Sequence, residues 1–274
     1  MAIANLGRVR IVLVQTAGPR NLGSVARVMK NMGLDDLWLV DPQCDPQDPE
    51  ARAMAVHARE LLEQVRIVPH LTDALRDCQR AIATVGRVPE APSVTLPEEG
   101  LAWLLAVSQG AIVFGPEDRG LSNGELQYCQ RILQIPTTKS YPSLNLAQAV
   151  GICAYTLRRL VLDADVPPSD RPLLSGPLRP NLPSKMAGDL LESYPLEHST
   201  IAEREAAYTQ LEDLLLRIGF LYPHTRFQRM QKVRHLFERS HLTSAEVTFL
   251  RGILRQMNWA LSAAPSASIE TERS

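Results

Sequence analysis

Six short runs of β-branched and large aliphatic residues, each continuous instead of alternating, govern what the first half of this chain can become. They lie at residues 10–14, 37–40, 65–68, 81–85, 111–114 and 131–135. A strand with one face in water alternates apolar and polar residues, whereas a continuous run suits a strand covered on both faces of a mostly parallel sheet. Segments of helical character lie between the runs. Residues 1–163 therefore read as an α/β domain.

Proline sets the limit of that domain. Seven prolines, Pro167, Pro168, Pro172, Pro177, Pro180, Pro183 and Pro195, fall within residues 163–195, a density that excludes a regular helix and marks 164–195 as an extended linker. Helical spacing then returns in three stripes: Tyr208, Leu211, Leu215, Ile218; Phe227, Met230, Val233, Phe237; and Val247, Leu250, Leu254, Met257, Leu261. Thr200 with Glu203, and Thr243 with Glu246, have the capping-box spacing that opens a helix. A small helical domain is expected over 196–262, followed by a flexible tail over 263–274.

Lys and Arg number 29 against 30 Asp and Glu, so a nucleic acid would have to meet a local basic patch. The stretch 217–239 offers one: Arg217, Arg226, Arg229, Lys232, Arg234 and Arg239 stand against Glu238 alone. By spacing this is equally a solvated helix face. Aromatic residues make up only 5% of the chain, and no stacking platform is evident. The four cysteines and six histidines are scattered, without the spacing of a metal site. No apolar run approaches the length of a membrane helix and no signal-peptide pattern opens the chain, so a reduced, cytoplasmic protein is expected.

The phosphate loop, the dinucleotide fingerprint, the zinc-protease motif and the nucleophile elbow are all absent. The polar and glycine-rich chemistry sits instead at strand ends. Gly18-Pro-Arg-Asn21-Leu-Gly23 follows the first run and leads into a helix whose buried face is Val25, Val28, Met29 and Met32. Arg27 is expected in the opening turns of that helix, away from the stripe, where the helix dipole disfavours a cation and an anionic partner would explain it. A solvated surface arginine has the same spacing. Gly115-Pro-Glu117-Asp-Arg119-Gly120-Leu-Ser122 follows the fifth run, with a third capping box at Ser122 and Glu125 and glycines that let backbone approach a ligand. After the sixth run, Ser143 is read as the cap of a helix with a stripe of Leu146, Val150, Cys153, Leu157 and Leu160. The small residues Ala147, Gly151 and Ala154 suit either a subunit contact or packing within the chain.

With Asn21-x-Gly-x-x-x-Arg27, Gly115-x-Glu-x-x-Gly-Leu-Ser122 and Ser143-Leu-Asn145-Leu in this order, residues 9–160 resemble the SPOUT-class RNA 2'-O-methyltransferases, specifically the TrmJ family. The resemblance implies a C-terminal trefoil knot that binds S-adenosyl-L-methionine, a homodimer with each site completed near the interface, and tRNA as substrate. Carried onto this sequence, it implies that Thr84, Val85, Gly86, Gly115, Ile135, Pro142, Ser143 and Leu144 contact the cofactor. Glu117 would orient neighbouring loops or contact Asn21.

The implied reaction is methylation of a ribose 2'-hydroxyl at cytidine or uridine 32 of the anticodon loop, without a metal. Arg27 would bind the adjacent phosphate and stabilise the developing alkoxide, because a guanidinium hardly deprotonates; a phosphate oxygen, Ser143 or water would take the proton. Asn21 and Asn145 would hold Arg27 and the ribose. Arg226, Arg229, Lys232 and Arg234 are the expected RNA contacts. Methylation of ribosomal RNA by the same chemistry, or a non-catalytic RNA-binding module, are the alternatives.

Overall fold

The computed structural model describes residues 6–86, 94–138, 140–165, 198–238 and 240–263. Among these, β1 (Val9–Val14), β2 (Asp36–Val40), β3 (Arg66–Val68), β4 (Arg80–Val85), β5 (Val94–Thr95), β6 (Gly110–Phe114) and β7 (Arg131–Gln134) form one sheet. Its order is β3-β2-β1-β6-β4-β7-β5, and every pairing is parallel. The helices of this part are α1 (Pro19–Met32), α2 (Pro49–Ala55), α3 (Arg59–Glu63), α4 (Leu71–Ala74), α5 (Pro97–Leu104), α6 (Asn123–Leu126) and α7 (Leu146–Asp165). The paired central strands β1 and β6 are buried at every residue, as their continuous apolar runs require. Run 65–68 differs: β3 lies at the sheet edge with Arg66 and Ile67 exposed, so its continuity does not report double burial.

Arg10 is a charge inside the fully buried β1, and it is satisfied on every side. It bonds Asp36 at 2.8 Å, Asp77 at 2.6 and 2.9 Å and the Ala74 carbonyl at 2.6 Å, and its guanidinium lies 4.2 Å from the centre of the Trp38 ring. A buried charge without such partners would cost several kcal/mol. The bond from Arg10, working against burial, holds the Asp77 carboxyl below its ordinary range.

Helix α7 buries Leu146, Val150, Cys153, Leu157 and Val161, the last in place of the expected Leu160, which is only partly buried. Ala154 is fully buried, and a side chain at Gly151 would meet Val28 of α1 at 4.0 Å. Ala154 is thus packed within the chain, while Ala147 and Gly151 are only partly covered by it. The opposite side of α7 leaves Ile152, Tyr155 and Leu162 exposed.

The chain divides into two compact units between Pro195 and Leu196. Most of the expected linker, 166–195, and the tail beyond Ala263 lie outside the described residues. The second unit contains α8 (Ile201–Arg217), α9 (Arg226–Glu238) and α10 (Ser244–Ala263), and both expected capping boxes form. Tyr208, Leu221 and Met230 centre one part of its core. The expected stripes run past this core at their ends, where Ile218, Phe227, Met257 and Leu261 are exposed.

Candidate active site

The loops after β1, β4, β6 and β7 meet at the carboxyl edge of the sheet, where open α/β sheets bind ligands. A cavity of about 680 Å³ opens there. Thr84, Val85, Gly86, Gly115, Ile135, Pro142, Ser143 and Leu144, the eight residues expected at the cofactor, all line it. Leu126 and Leu133 add apolar wall, while Glu117 and Asp118 add carboxylates. A cavity of this size, in which apolar residues stand beside charged and hydroxyl groups, falls in the range of small-molecule sites. Two glycines make its walls close in. A Cβ on Gly115 would lie 2.5 Å from backbone atoms of Gly120 and Leu121, and one on Gly86 would meet the Pro142 carbonyl at 3.4 Å.

Three separate motifs are tied together beside this cavity. Asn145 Nδ2 donates to Asn21 Oδ1 at 2.8 Å, and Asn21 Nδ2 donates to Glu117 Oε1 at 3.0 Å. The expected contact of Glu117 with Asn21 is therefore present. Asn145, not Ser143, caps α7: its Oδ1 accepts the backbone N–H groups of Ala147 at 3.0 Å and Gln148 at 3.4 Å. The helix begins at Leu146, so Ser143 is too far upstream to cap it and instead lines the cavity, exposed.

Arg27 stands apart. Because α1 starts at Pro19, Arg27 falls in its third turn, beyond the reach of the N-terminal dipole, which corrects the placement in the opening turns. It is exposed, lines neither this cavity nor the adjoining cleft, and makes no hydrogen bond or ion pair among the described residues. Asn21 and Asn145 hold each other and do not hold Arg27.

Sequence reasoning missed the support around the second motif. Arg119 bonds both carboxylate oxygens of Glu125 at 3.0 and 3.1 Å and donates to Gln15 Oε1 at 2.6 Å. Burial works to raise the Glu125 carboxyl, but Arg119 and Ser122 outweigh it and hold it below its ordinary range. Arg119 stands inside the second motif, whereas Gln15 has no sequence signal beyond its place after β1.

In the second unit the expected RNA contacts separate. Lys232 and Arg229 are exposed, with Arg229 5.6 Å from the centre of the Phe220 ring. Arg226 forms a solvent-exposed ion pair with Glu212 at 3.1 Å. Arg234 is turned inward, bonded by two nitrogens to Glu205 and lying 4.7 Å from the Tyr208 ring centre. Arg217 bonds Asn258 and Ser262 at 2.8 and 3.0 Å, and Arg239 lies outside the described residues.

The family model of the SpoU rRNA methylases matches residues 8–155, and that of the C-terminal domain of tRNA methyltransferase TrmJ matches residues 202–267. The chain belongs to the SpoU methylase family. Within it, the tRNA (cytidine/uridine-2'-O-)-methyltransferase TrmJ of Klebsiella pneumoniae is 38% identical over 255 residues, 91% of this chain and 96% of that protein. The tRNA (cytidine/uridine/adenosine-2'-O-)-methyltransferase TrmJ of Pseudomonas aeruginosa is 38% identical over 259 residues, covering 92% and 94%. The crystal structure of TrmJ from Z. mobilis superimposes with a TM-score of 0.72 at 28% identity, over 91% of this chain and 98% of that one. This SpoU-family chain therefore has the TrmJ arrangement of a methylase part followed by a helical part. Among its described residues no helix is long and apolar enough to cross a membrane, and no group of three His, Cys, Asp or Glu side chains is placed to hold a metal.

Proposed function

We propose that this protein methylates a ribose 2'-hydroxyl of tRNA, at cytidine or uridine 32 of the anticodon loop, using S-adenosyl-L-methionine. The observation that carries the reading is the convergence of the second and third motifs on one cavity, with the first tied to both by the Asn145–Asn21–Glu117 hydrogen-bond chain. The TrmJ relatives support tRNA over ribosomal RNA, and the match of residues 202–267 supports it further. Position 32 rests on the TrmJ resemblance. A cytoplasmic location follows from the substrate.

The cofactor would supply an activated methyl group. Val85, Leu133, Ile135 and Leu144 present the apolar walls that an adenosine needs, and the Gly115 and Gly86 backbones close on it from two sides. Glu117 and Asp118 place negative charge where a sulfonium and an ammonium are favoured. The chain's own task is then alignment of the ribose oxygen and stabilisation of the charge it develops. Arg27, always protonated, stabilises that oxygen and binds the neighbouring phosphate; it does not act as the base.

Arg27 lies six residues from Asn21, about 9 Å along α1. A cavity of one subunit served by Arg27 of its partner accounts for that separation, so the working unit is a homodimer. The exposed face of α7, with Ile152, Tyr155 and Leu162, is the apolar surface that a second copy would cover. The trefoil path belongs to the same proposal; the close approach of Pro142 and Ser143 to the place of a side chain at Gly86 is expected where a threaded segment passes.

The test is transfer from radiolabelled S-adenosyl-L-methionine to unmodified total tRNA, with the product nucleoside located by digestion and mass spectrometry. Label at position 32 as a 2'-O-methylated pyrimidine is expected. Label confined to ribosomal RNA would overturn the substrate, and absence of label with measurable cofactor binding would overturn the activity.

A further inference from the structure

Beside the cofactor cavity lies a second cleft of about 680 Å³, which shares Pro116, Glu117, Asp118 and Arg119 with it. Its other wall comes from the ends of β1 and β2. Val14 and Val40 are partners in the ladder, and the next residue of each strand, Gln15 and Asp41, turns into the left-handed region with φ of 48° and 46°. Neither is glycine, and backbone of this kind is retained where the surroundings over-determine it, often at ligand sites.

What holds these residues also fixes their chemistry. Gln15 Nε2 donates to Asp41 Oδ2 at 2.8 Å while its Oε1 accepts from Arg119, so neither end of the Gln15 amide can turn. Gln43 Nε2 donates to the Asp41 backbone carbonyl at 2.8 Å, and Gln43 N donates to the Thr16 carbonyl at 2.9 Å. Asp41 Oδ1 and Gln43 Oε1 then have no partner among the described residues, and both residues line the cleft. Each of these two exposed residues thus offers the cleft one unused acceptor. Asn21, the hub of the motif chain, lines the same cleft.

We propose that this cleft receives the base of the target nucleotide, and that Asp41 and Gln43 read its Watson–Crick edge in favour of cytidine over uridine. The proposal rests on the methyltransferase reading above. Cavity and cleft share the wall Pro116–Arg119, so a ribose held at that wall would have the cleft beside it as the space for its base. The carboxylate and amide oxygens together can accept both hydrogens of the exocyclic amine of cytosine, whereas uracil presents a carbonyl at that place and offers its single N3–H to one acceptor at most. A purine amine could also meet acceptors, so a purine at the target is an outcome of the test.

The experiment measures kcat/KM of the full chain on synthetic anticodon stem-loops that differ only in the target base, for wild type and for Asp41→Asn. The amide oxygen in that variant can still accept from Gln15 while its NH2 turns a cleft acceptor into a donor. The wild type should prefer cytidine, and Asp41→Asn should move the cytidine-to-uridine ratio toward uridine by about tenfold, within what one base-edge contact supplies. Unchanged cofactor affinity and thermal midpoint would show that the variant is folded. An unchanged ratio in an active variant, or a wild-type preference for uridine or a purine, would overturn the base assignment and leave the methyltransferase reading standing. A wild type that methylates no RNA would overturn both.

Discussion

Asn145 and Asn21 are 124 residues apart in sequence and 2.8 Å apart at their side chains, and Asn145 serves both neighbours at once. Its Oδ1 caps α7 through Ala147 and Gln148, and its Nδ2 positions Asn21 against Glu117. Substitution can separate the two tasks. Asn145→Asp keeps the acceptor for the cap but cannot donate to Asn21, so the thermal midpoint should hold while methyl transfer falls. Asn145→Ala loses both, with about 1 kcal/mol of stability gone as well. Equal transfer by Asn145→Asp and wild type would show that the bond to Asn21 has no part in activity.

Gly115 is packed against backbone, not against movable side chains. A Cβ there would sit 2.5 Å from Gly120 C and Leu121 N, so Gly115→Ala must displace the segment that forms one wall of the cavity. S-adenosyl-L-methionine affinity measured by calorimetry should drop at least about tenfold, equivalent to about 1.4 kcal/mol. Affinity unchanged from wild type would place the ligand elsewhere.

Arg27→Ala should leave cofactor affinity intact, because its assigned role is toward the ribose oxygen and the phosphate and not toward the cofactor, while methyl transfer falls by about 100-fold or more, the cost of removing one group that stabilises a developing oxyanion. Mixing Arg27→Ala with a variant weakened at the cavity, such as Gly115→Ala, at a cofactor concentration too low for that variant alone, should restore part of the activity in a heterodimer. No recovery on mixing would count against a site shared between subunits.

The helical unit offers a contrast between neighbouring cations. Alanine at Arg229 or Lys232 should weaken RNA binding and reduce the salt slope of log K by about 0.7–0.9 for each phosphate that is no longer neutralised. Arg234→Ala should instead destabilise the unit, because it removes the partner that Glu205 has within the fold. Filter binding across a salt series, together with thermal unfolding, separates the two behaviours.

The parts of this fold that are legible in sequence are those in which residue type alone carries the signal. Continuous apolar runs mark six strands of the sheet, and serine or threonine followed by glutamate at the third position after it locates three helix starts that the structure contains. Strand β5 is not legible because two residues, Val94 and Thr95, have no period. The cap of α7 is ambiguous in sequence because Ser143 and Asn145 are both good cap residues, and only the loop geometry decides for Asn145. Arg234 is indistinguishable from its neighbours in the basic stretch until the fold brings Glu205, 29 residues earlier, to face it. The strained ends of β1 and β2 carry no glycine to announce them.

Glu238 gives the second unit an unusual pH dependence. Burial pushes its carboxyl up to about 7, against the opposing pull of Arg204 and Arg234 and with a smaller push from Glu205; His235 Nδ1 lies 3.8 Å away, and only 14% of the Glu238 side chain is exposed. The folded unit therefore holds a proton more tightly than the unfolded chain, whose carboxyl titrates near 4.5. Stability from this group is fully present below about pH 4.5 and is lost as pH rises through about 7, on the order of 3 kcal/mol in all. Native-state hydrogen exchange of α8 and α9 amides, corrected for intrinsic rates, should show protection declining from pH 5 to pH 8. Glu238→Gln, which keeps the shape and cannot ionise, should flatten that decline and leave the unit more stable than wild type at pH 8. The same slope in wild type and variant would mean that Glu238 is charged in the folded unit at neutral pH, with Arg204 and Arg234 outweighing the cost of its burial.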